Sequence, residues 1–134
     1  MNINIYLKSK IKDKNLKKAV DEYVKRLSRY CKIKIKILKK KDSIEELAVS
    51  SPFSINIRNT EKSLKSEEFA QLISGLGIKG ISTIDFFFTE EKAEFFDENI
   101  CLTYLDFSED FDLMILTEQI YRAFRIINGE PYHK

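Results

Sequence analysis

A strand pattern, a helix pattern and a second strand pattern follow each other directly in the first forty residues. Asn2–Leu7 carries an isoleucine or leucine at every second position, which indicates a strand with one apolar face. Residues 14–30 then place apolar side chains at helical spacing. Next, Lys32–Ile37 alternates lysine with isoleucine at every position, which again indicates a strand. This succession is typical of an α/β fold.

Strand and helix patterns continue to alternate along the rest of the chain. The short connection at 39–52 contains one predicted helical turn, around Ile44–Ala48. Further strands are predicted at Phe53–Ile57, Thr83–Phe88 and Ile100–Leu105, and helices at Ser66–Ser74, with Ser66 as its N-cap, and at Phe111–Asn128. The predicted fold class is therefore α/β, with one domain over residues 1–134 and a mainly parallel sheet flanked by helices.

Composition excludes several kinds of site. The chain has one histidine and two cysteines, so neither a zinc site nor a disulfide framework is expected, and we predict no metal. Its N-terminus lacks the apolar core of a signal peptide, and no apolar segment is long enough to span a bilayer. We therefore expect a cytoplasmic protein that has no membrane partner.

Charge is distributed very unevenly between the two parts of the chain. Residues 1–41 contain fifteen Lys and Arg and three acids, whereas residues 42–134 contain eight basic and eighteen acidic residues. This asymmetry is compatible with a polyanion bound on one face, with self-association in opposite orientation, or with two solvated faces. The lysines of 32–37 leave two similar alternatives, a phosphate-facing groove or protection of an exposed strand edge.

Two other sequence motifs are weak evidence for a functional site. Gly75–Gly80 matches the G-x-G-x-x-G fingerprint of dinucleotide-binding folds, but it follows a helix and precedes a strand, the reverse of what that site needs. Its glycines are predicted to end the preceding helix in the left-handed conformation. Ten acids lie between Asp85 and Asp112, and such a cluster could bind a metal or act in acid–base chemistry. The spacing of the acids from Glu90 to Glu98 favours instead the charged outer face of a helix.

The end of the chain resembles a known family. The segments 118–124 (Glu-Gln-Ile-Tyr-Arg-Ala-Phe) and 128–134 (Asn-Gly-Glu-Pro-Tyr-His-Lys) closely resemble the C-terminal helix and tail of the bacterial ribosomal large-subunit methyltransferase H family. Residues 21–27 are similar to that family's first helix, and residues 66–71 to the helix after its third strand. The resemblance covers nearly the whole chain, although the connection at 39–52 is shorter than is usual there.

This resemblance implies a SPOUT-type α/β domain with a C-terminal trefoil knot, an exception to the usual absence of knots. It also implies a homodimer that binds S-adenosylmethionine in the knot and methylates N3 of a pseudouridine in 23S rRNA on the assembled ribosome. By resemblance, the cofactor would be bound by Ile55, Glu90, Thr103, Tyr104, Leu105, Asp106, Phe107 and Ser108. Tyr132 and His133 would complete the target-nucleotide pocket across the dimer, and rRNA would be bound by Lys25, Arg26, Arg29, Arg122 and Lys134. The apolar stripe of the 111–128 helix would form the dimer contact.

The sequence departs from the family at both cofactor loops. The family has a glycine-rich loop after the fourth strand, whereas this chain has Phe88–Ala93, without a glycine. The second loop has Ser108 and Glu109 where the family has Pro-His, and Leu113 where an arginine is expected. Two hypotheses therefore stay open. One is a homologue with an eroded cofactor loop that is weakly active or inactive and binds no cofactor. The other is a fully active rRNA methyltransferase that binds S-adenosylmethionine through backbone contacts.

Overall fold

The computed structural model describes residues 1–58, 60, 62–90, 94–103 and 108–131. Strands and helices alternate along most of this length, as the sequence patterns predict. The strands are β1 (Asn2–Leu7), β2 (Lys32–Ile37), β3 (Ser54–Ile57), β4 (Thr83–Phe87) and β5 (Glu98–Ile100). The helices are α1 (Lys14–Leu27), α2 (Ile44–Ser50), α3 (Ser66–Ile78) and α4 (Glu109–Ile127).

All four strand pairings are parallel, and the strand order across the sheet is β2-β1-β4-β3-β5. The prediction of an α/β fold with a mainly parallel sheet is therefore confirmed. β2 is an edge strand of the sheet, and its alternating lysines protect it from pairing with a strand of another chain. Because the strands are parallel, all of their carboxyl ends meet at one edge of the sheet, called here the carboxyl edge; the opposite one is the amino edge.

The main core lies on the sheet face that α1, α3 and α4 cover. Alternate residues of the strands, among them Ile5, Ile55 and Phe86, point to this face and are fully buried. α4 lies between α1 and α3 and contributes Leu113, Leu116, Ile120 and Phe124 to the same core. The apolar stripe of this helix, which was expected to form a dimer contact, is thus buried within the chain itself.

The other face is covered by α2 and by the connection from β4 to β5. Phe87 and Phe96 pack there against Ala48, and the ring of Tyr6 stacks on that of Phe87 at a centroid distance of 4.9 Å. The aromatic side chains of this connection supply much of the packing, since α2 is only seven residues long. Among the described residues, no helix is both long enough and apolar enough to cross a membrane.

Several predicted boundaries are wrong. Lys65, not Ser66, is the N-cap of α3, and its backbone N–H donates to the Glu68 carboxylate. α3 continues through Gly75 and Gly77, so only Gly80, with φ of +85°, takes the left-handed conformation that the glycine run predicted. The apolar side chains of that last turn, such as Leu76, are buried in the core, and this burial extends the helix past two glycines.

The acidic segment also differs from its prediction. Glu94 lies in a turn and Glu98 begins β5, so the expected outer helical face is absent among residues 90 and 94–98. The strand predicted at Ile100–Leu105 is β5, which ends at Ile100 and is followed by a single bridge between Cys101 and Ser63. β5 begins two residues earlier than predicted, because Glu98 and Asn99 pair with the neighbouring strand β3. Periodicity along a single segment does not reveal such pairing.

Candidate functional site

The predicted cofactor residues that the structure describes lie on or after β3, β4 and β5, and three of them lie near the carboxyl edge. In open parallel sheets, ligands bind beyond the carboxyl ends of the strands, so this is a suitable place for a cofactor. Glu90 is exposed, three residues after β4, and Thr103 is half-buried, three residues after β5. Ile55 lies within β3 and is fully buried, so its side chain faces the core and not a ligand. Four further predicted residues, Tyr104, Leu105, Asp106 and Phe107, lie outside the described residues.

The loop after β4 is attached to β3 by the side chain of Asn56, which is completely buried. Its Nδ2 donates to the Thr89 carbonyl at 3.0 Å, and the Thr89 N–H donates back to its Oδ1 at 3.0 Å. Nδ2 also donates to Oδ1 of Asn99 on β5 at 3.1 Å. Both backbone groups of Thr89 are therefore bound by one side chain, which fixes the start of this loop. Sequence reasoning missed Asn56, although a lone amide in a buried strand was a signal for it.

Acids on the same face hold the strands together. Asp97 Oδ2 accepts the backbone N–H of Ser54 at 2.8 Å, while the Asp97 N–H donates to Oγ of Ser54 at 3.0 Å. Asn4 donates through Nδ2 to Oδ1 of Asp85 at 2.7 Å, across the β1–β4 pair. In the part of the chain that the structure describes, no group of three or more His, Cys, Asp or Glu could hold a metal. Asp85 and Asp97 therefore serve a structural role between strands.

The second loop, between β5 and α4, is anchored at both of its described ends. The Cys101 thiol donates to the Thr103 carbonyl at 2.8 Å, and its backbone N–H donates to the Lys62 carbonyl at 2.9 Å. At the other end, Ser108 is the N-cap of α4, and its Oγ accepts the N–H of Phe111 at 3.3 Å. Ser108 thus has a capping role, which its predicted cofactor contact does not require.

Two acids of the first turn of α4 bind the loop that follows β1. The Glu109 carboxylate accepts the backbone N–H of Lys8, with its Oε1 at 3.1 Å. Asp110 Oδ2 accepts the backbone N–H groups of Lys12 and Asp13, at 2.8 and 3.1 Å. These carboxylates hold the start of α4 beside the start of α1. α1 and α4 consequently run side by side in the same direction, from the carboxyl edge to the amino edge.

At the far end of α4 the chain is turned and held against α1. Gly129 adopts a φ of +65°, which favours glycine, and Glu130 donates its N–H to the Arg125 carbonyl at 2.8 Å. Arg125 donates from Nε and Nη2 to the Pro131 carbonyl, at 3.1 and 2.7 Å, and from Nη1 to Glu130 at 2.6 Å. Tyr30, just after α1, donates its hydroxyl to Glu130 at 2.8 Å. We call these four residues, Tyr30, Arg125, Glu130 and Pro131, the tail clamp.

The tail clamp has two electrostatic consequences. A hydrogen bond with Tyr30 and the charge of Glu130 raise the pKa of Arg125, so its guanidinium stays cationic. Tyr30 in turn is fixed by a parallel stack on the Phe124 ring, at 5.7 Å between centroids. The sequence-predicted Tyr132, His133 and Lys134 follow directly after the clamp but lie outside the described residues.

The tail clamp lies at the end of the domain opposite to the cofactor loops. α4 has 19 residues, so its axis spans about 28 Å at 1.5 Å per residue. The tail clamp is therefore about 28 Å from the loop at the start of α4 in the same chain.

The predicted RNA-binding residues lie at the same end as the tail. Lys25 is exposed, Arg26 pairs with Glu22 at 3.0 Å, and Arg29 lies 4.0 Å from the Glu130 carboxylate. Arg122 is largely buried in an ion pair of 2.7 Å with Glu118. The structure therefore brings Lys25, Arg26 and Arg29 to the tail clamp but not to Glu90 or Thr103, and Lys134 lies outside the described residues.

Comparison with known proteins identifies the family of this chain. The family model described as "Predicted SPOUT methyltransferase" matches residues 1–133. The chain is 35% identical to ribosomal RNA large subunit methyltransferase H of Clostridium botulinum (strain Eklund 17B / Type B) and 35% identical to that of Clostridioides difficile (strain 630). It is 33% identical to the corresponding protein of Clostridium acetobutylicum. In each case the alignment covers all of both chains.

The alignments with these relatives run over 159 positions, whereas this chain has 134 residues. The relatives therefore carry segments that this chain lacks. The observed connection between β4 and β5, residues 88–97, is short for parallel strands, which are usually joined by a dozen or more residues including a helix. The fold, the full-length family match and these relatives agree, and the chain belongs to the SPOUT methyltransferase family.

Proposed function

We propose that this protein is a homologue of the S-adenosylmethionine-dependent methyltransferases of large-subunit rRNA in which methyl transfer is weak or lost. Its relatives by name methylate that RNA, and the similarity extends over both chains entirely. The proposed loss of methyl transfer rests on the two hydrogen bonds between the Asn56 side chain and the backbone of Thr89. Because the N–H and the carbonyl of Thr89 are both bound inside the protein, this residue has neither group available for a cofactor.

The residues present do not fit S-adenosylmethionine at the first loop in the way that the family resemblance implies. A glycine-rich loop admits a ligand because no side chain intervenes. Here Thr89 is 6% exposed and Phe88 is 8% exposed, so both side chains already fill the space beneath the loop. The next residue of the loop, Glu90, is exposed and presents a carboxylate where a glycine would leave the backbone accessible. We therefore assign no methyl-transfer step to these residues.

Calorimetric titration of S-adenosylmethionine into the purified protein tests the proposal. We expect no heat of binding at micromolar ligand, and saturation, if any, only at millimolar ligand. The protein of Clostridioides difficile provides the matched control, because it is 35% identical over its full length. Micromolar binding by this chain would sink the proposal and would favour the second candidate.

The second candidate is a fully active rRNA methyltransferase, favoured by the tail clamp. Arg125 uses three nitrogen atoms to hold Glu130 and Pro131 immediately before Tyr132 and His133. Such a restraint has a clear use if the tail must be placed accurately beside a target nucleotide. In this candidate the cofactor is bound through the backbone of the loop from Thr103 to Ser108. Transfer of a labelled methyl group to ribosomes from a strain that lacks the corresponding enzyme distinguishes the two candidates.

We also propose that the protein is a homodimer, because the site is incomplete in one chain. The tail clamp and the cofactor loops lie at opposite ends of α4, about 28 Å apart. Tyr132 and His133 follow Pro131 by one and two residues, a span of at most about 7 Å, so in this proposal they enter the site of a partner chain. The knotted C-terminal segment and a cytoplasmic location, where ribosomes occur, belong to the same proposal by family. Light scattering tests the dimer, and a strictly monomeric mass would contradict it.

A further inference from the structure

Six lysines lie in the two loops that leave the carboxyl edge next to β2. Lys8, Lys10 and Lys12 follow β1, while Lys39, Lys40 and Lys41 follow β2, and all six are exposed. The N–H of Leu38 donates to the Leu7 carbonyl at 2.8 Å, so β1 and β2 remain paired up to the point where the loops begin. The two groups of lysines are consequently neighbours. We call them the lysine edge.

Acids near the lysine edge bind backbone groups instead of ammonium groups. Asp42 Oδ2 accepts the N–H of Lys39 at 2.7 Å, and Asp13 caps α1 by accepting N–H groups at its start. Glu109 and Asp110 bind the loop after β1 in the same way. These carboxylates fix the path of both loops and leave the lysine side chains to point outward. The acids reduce the local positive charge, but they do not occupy the ammonium groups.

The ion pairs that the structure describes involve cations outside the lysine edge. Within the described residues there are six, and their cations are Lys17, Arg26, Arg29, Lys62, Arg122 and Arg125. None of them belongs to the lysine edge. Lys34 and Lys36 add further exposed ammonium groups along β2, and Lys36 lies 5.5 Å from the ring centroid of Tyr6. Most of the cations in residues 1–41 that form no ion pair with a described residue therefore lie in the lysine edge or along β2.

The lysine edge is close to the candidate cofactor loops. β1 pairs with β4, and β3 is the next strand, so β1 and β3 lie two strand spacings apart, which is about 10 Å. Both the lysines after β1 and the loops after β3, β4 and β5 leave from the carboxyl edge. An RNA strand on the lysine edge can therefore present a neighbouring nucleotide to these loops. Lys25, Arg26 and Arg29, in contrast, lie at the amino edge of the same chain.

We propose that the lysine edge binds the phosphate backbone of the RNA that the candidate site receives. This inference rests on the proposed rRNA partner, and it names the surface that contacts it. Lysine is a flexible point charge that suits phosphate and reads no sequence, so the edge supplies affinity and orientation. The exposed β2 strand is protected from pairing with a second copy by its own lysines, because like charges would face each other.

Binding of a fluorescein-labelled single-stranded RNA, measured by anisotropy at several KCl concentrations, tests the inference. Two triple variants remove the charges without shortening the side chains much: Lys8→Gln with Lys10→Gln and Lys12→Gln, and Lys39→Gln with Lys40→Gln and Lys41→Gln. We expect each to weaken binding about tenfold or more at 0.1 M salt. The slope of log affinity against log salt should fall by about 2, since each lost phosphate contact contributes about 0.7.

A matched triple variant, Lys18→Gln with Lys32→Gln and Lys79→Gln, removes as many exposed charges outside the lysine edge. It should change RNA affinity less than about twofold if the lysine edge binds the backbone. Parental affinity and slope in both edge variants, or an equal loss in this control variant, would overturn the inference. So would tighter binding to phosphatidylserine vesicles than to the RNA, because a membrane would then be the partner.

Cofactor titration of the same edge variants separates this inference from the proposed function. The lysine edge lies outside the predicted cofactor loops, so the variants should bind S-adenosylmethionine as the parental protein does, whether that binding is weak or tight. RNA binding that depends on the edge in a protein with tight cofactor binding would sustain the inference and contradict the proposed loss of methyl transfer. RNA affinity that does not depend on the edge, in a protein that binds no cofactor, would contradict the inference and leave the proposed loss of methyl transfer standing.

Discussion

The amide of Asn56 forms two hydrogen bonds with the backbone of Thr89, one as donor and one as acceptor, each 3.0 Å long. This pair joins the end of β3 to the first residues of the loop after β4. Because Asn56 is fully buried and Thr89 is 6% exposed, water does not compete for either group. The conformation of the loop is therefore set by a residue of the neighbouring strand as well as by its own sequence.

Replacement Asn56→Ala should destabilise the protein by about 3 kcal/mol, since it leaves the buried N–H and carbonyl of Thr89 without their partner. Urea denaturation measures this change. Asn2→Ala is the control, because Asn2 is exposed, and it should stay within about 0.5 kcal/mol of the parental protein. A loss below about 1 kcal/mol for Asn56→Ala would show that the loop does not depend on this contact.

Glycines at positions 89 and 90 should improve cofactor binding. The double replacement Thr89→Gly with Glu90→Gly removes the side chains that occupy the first loop and restores the close backbone approach that glycine permits. We expect a gain of about tenfold or more in S-adenosylmethionine affinity by calorimetry, which is about 1.4 kcal/mol. The variant Thr89→Ser keeps a hydroxyl side chain and should show no gain. An unchanged affinity in the double variant would locate the obstacle elsewhere.

Periodicity predicted the architecture well because burial of the main core follows it. The strand pattern of Asn2–Leu7 predicted β1 with its observed bounds, and the lysine–isoleucine alternation predicted β2 equally well. β1 buries one face and β2 half-buries one, so each side chain's position along the segment decides its environment. The resemblance of the tail then identified the family, which the full-length match confirms.

Contacts between distant segments were beyond such reasoning. Asn56 and Thr89 are 33 residues apart, and Tyr30 and Glu130 are 100 residues apart. The first pair determines the loop after β4, and the second decides where the tail begins, but neither follows from local spacing. The same limit explains the missed start of β5 at Glu98, where pairing with β3 overrides the charged character of the segment.

The tail clamp should show energetic coupling between Tyr30 and Glu130. Tyr30→Phe removes the hydroxyl that donates to Glu130 at 2.8 Å, and Glu130→Gln removes the charge that accepts it. A double-mutant cycle in urea should give a coupling of about 1 kcal/mol. Tyr23→Phe is the control, because Tyr23 packs beside Tyr121 instead of the tail, and its cycle with Glu130→Gln should give about zero. Equal coupling in both cycles would contradict a specific clamp.

Dimer formation should depend on the exposed end of α4. Ile126 and Ile127 are 37% and 38% exposed beside the tail clamp, while the stripe of α4 is buried in the chain's own core. The double replacement Ile126→Glu with Ile127→Glu places two charges there and should shift light-scattering mass from dimer toward monomer. Ile78→Glu is the control, because Ile78 is 85% exposed at the end of α3. A dimer that survives the α4 changes but not Ile78→Glu would place the interface on α3.

Stability should decrease between pH 9 and 11 because of Cys31. Burial raises the pKa of this thiol from 9.0 to about 11, and the nearby amino terminus opposes the shift only in part. Between these values the unfolded chain releases the proton and the native protein keeps it, so the stabilisation present below pH 9 is lost as pH rises. Its size is at most about 3 kcal/mol, since one pKa unit corresponds to about 1.4 kcal/mol. Comparison of urea denaturation for the parental protein and Cys31→Ala isolates this group from the tyrosines and lysines that titrate in the same range. The free energy difference between the two proteins should shrink from pH 9 to pH 11, and a constant difference would mean that the thiol titrates alike in both states.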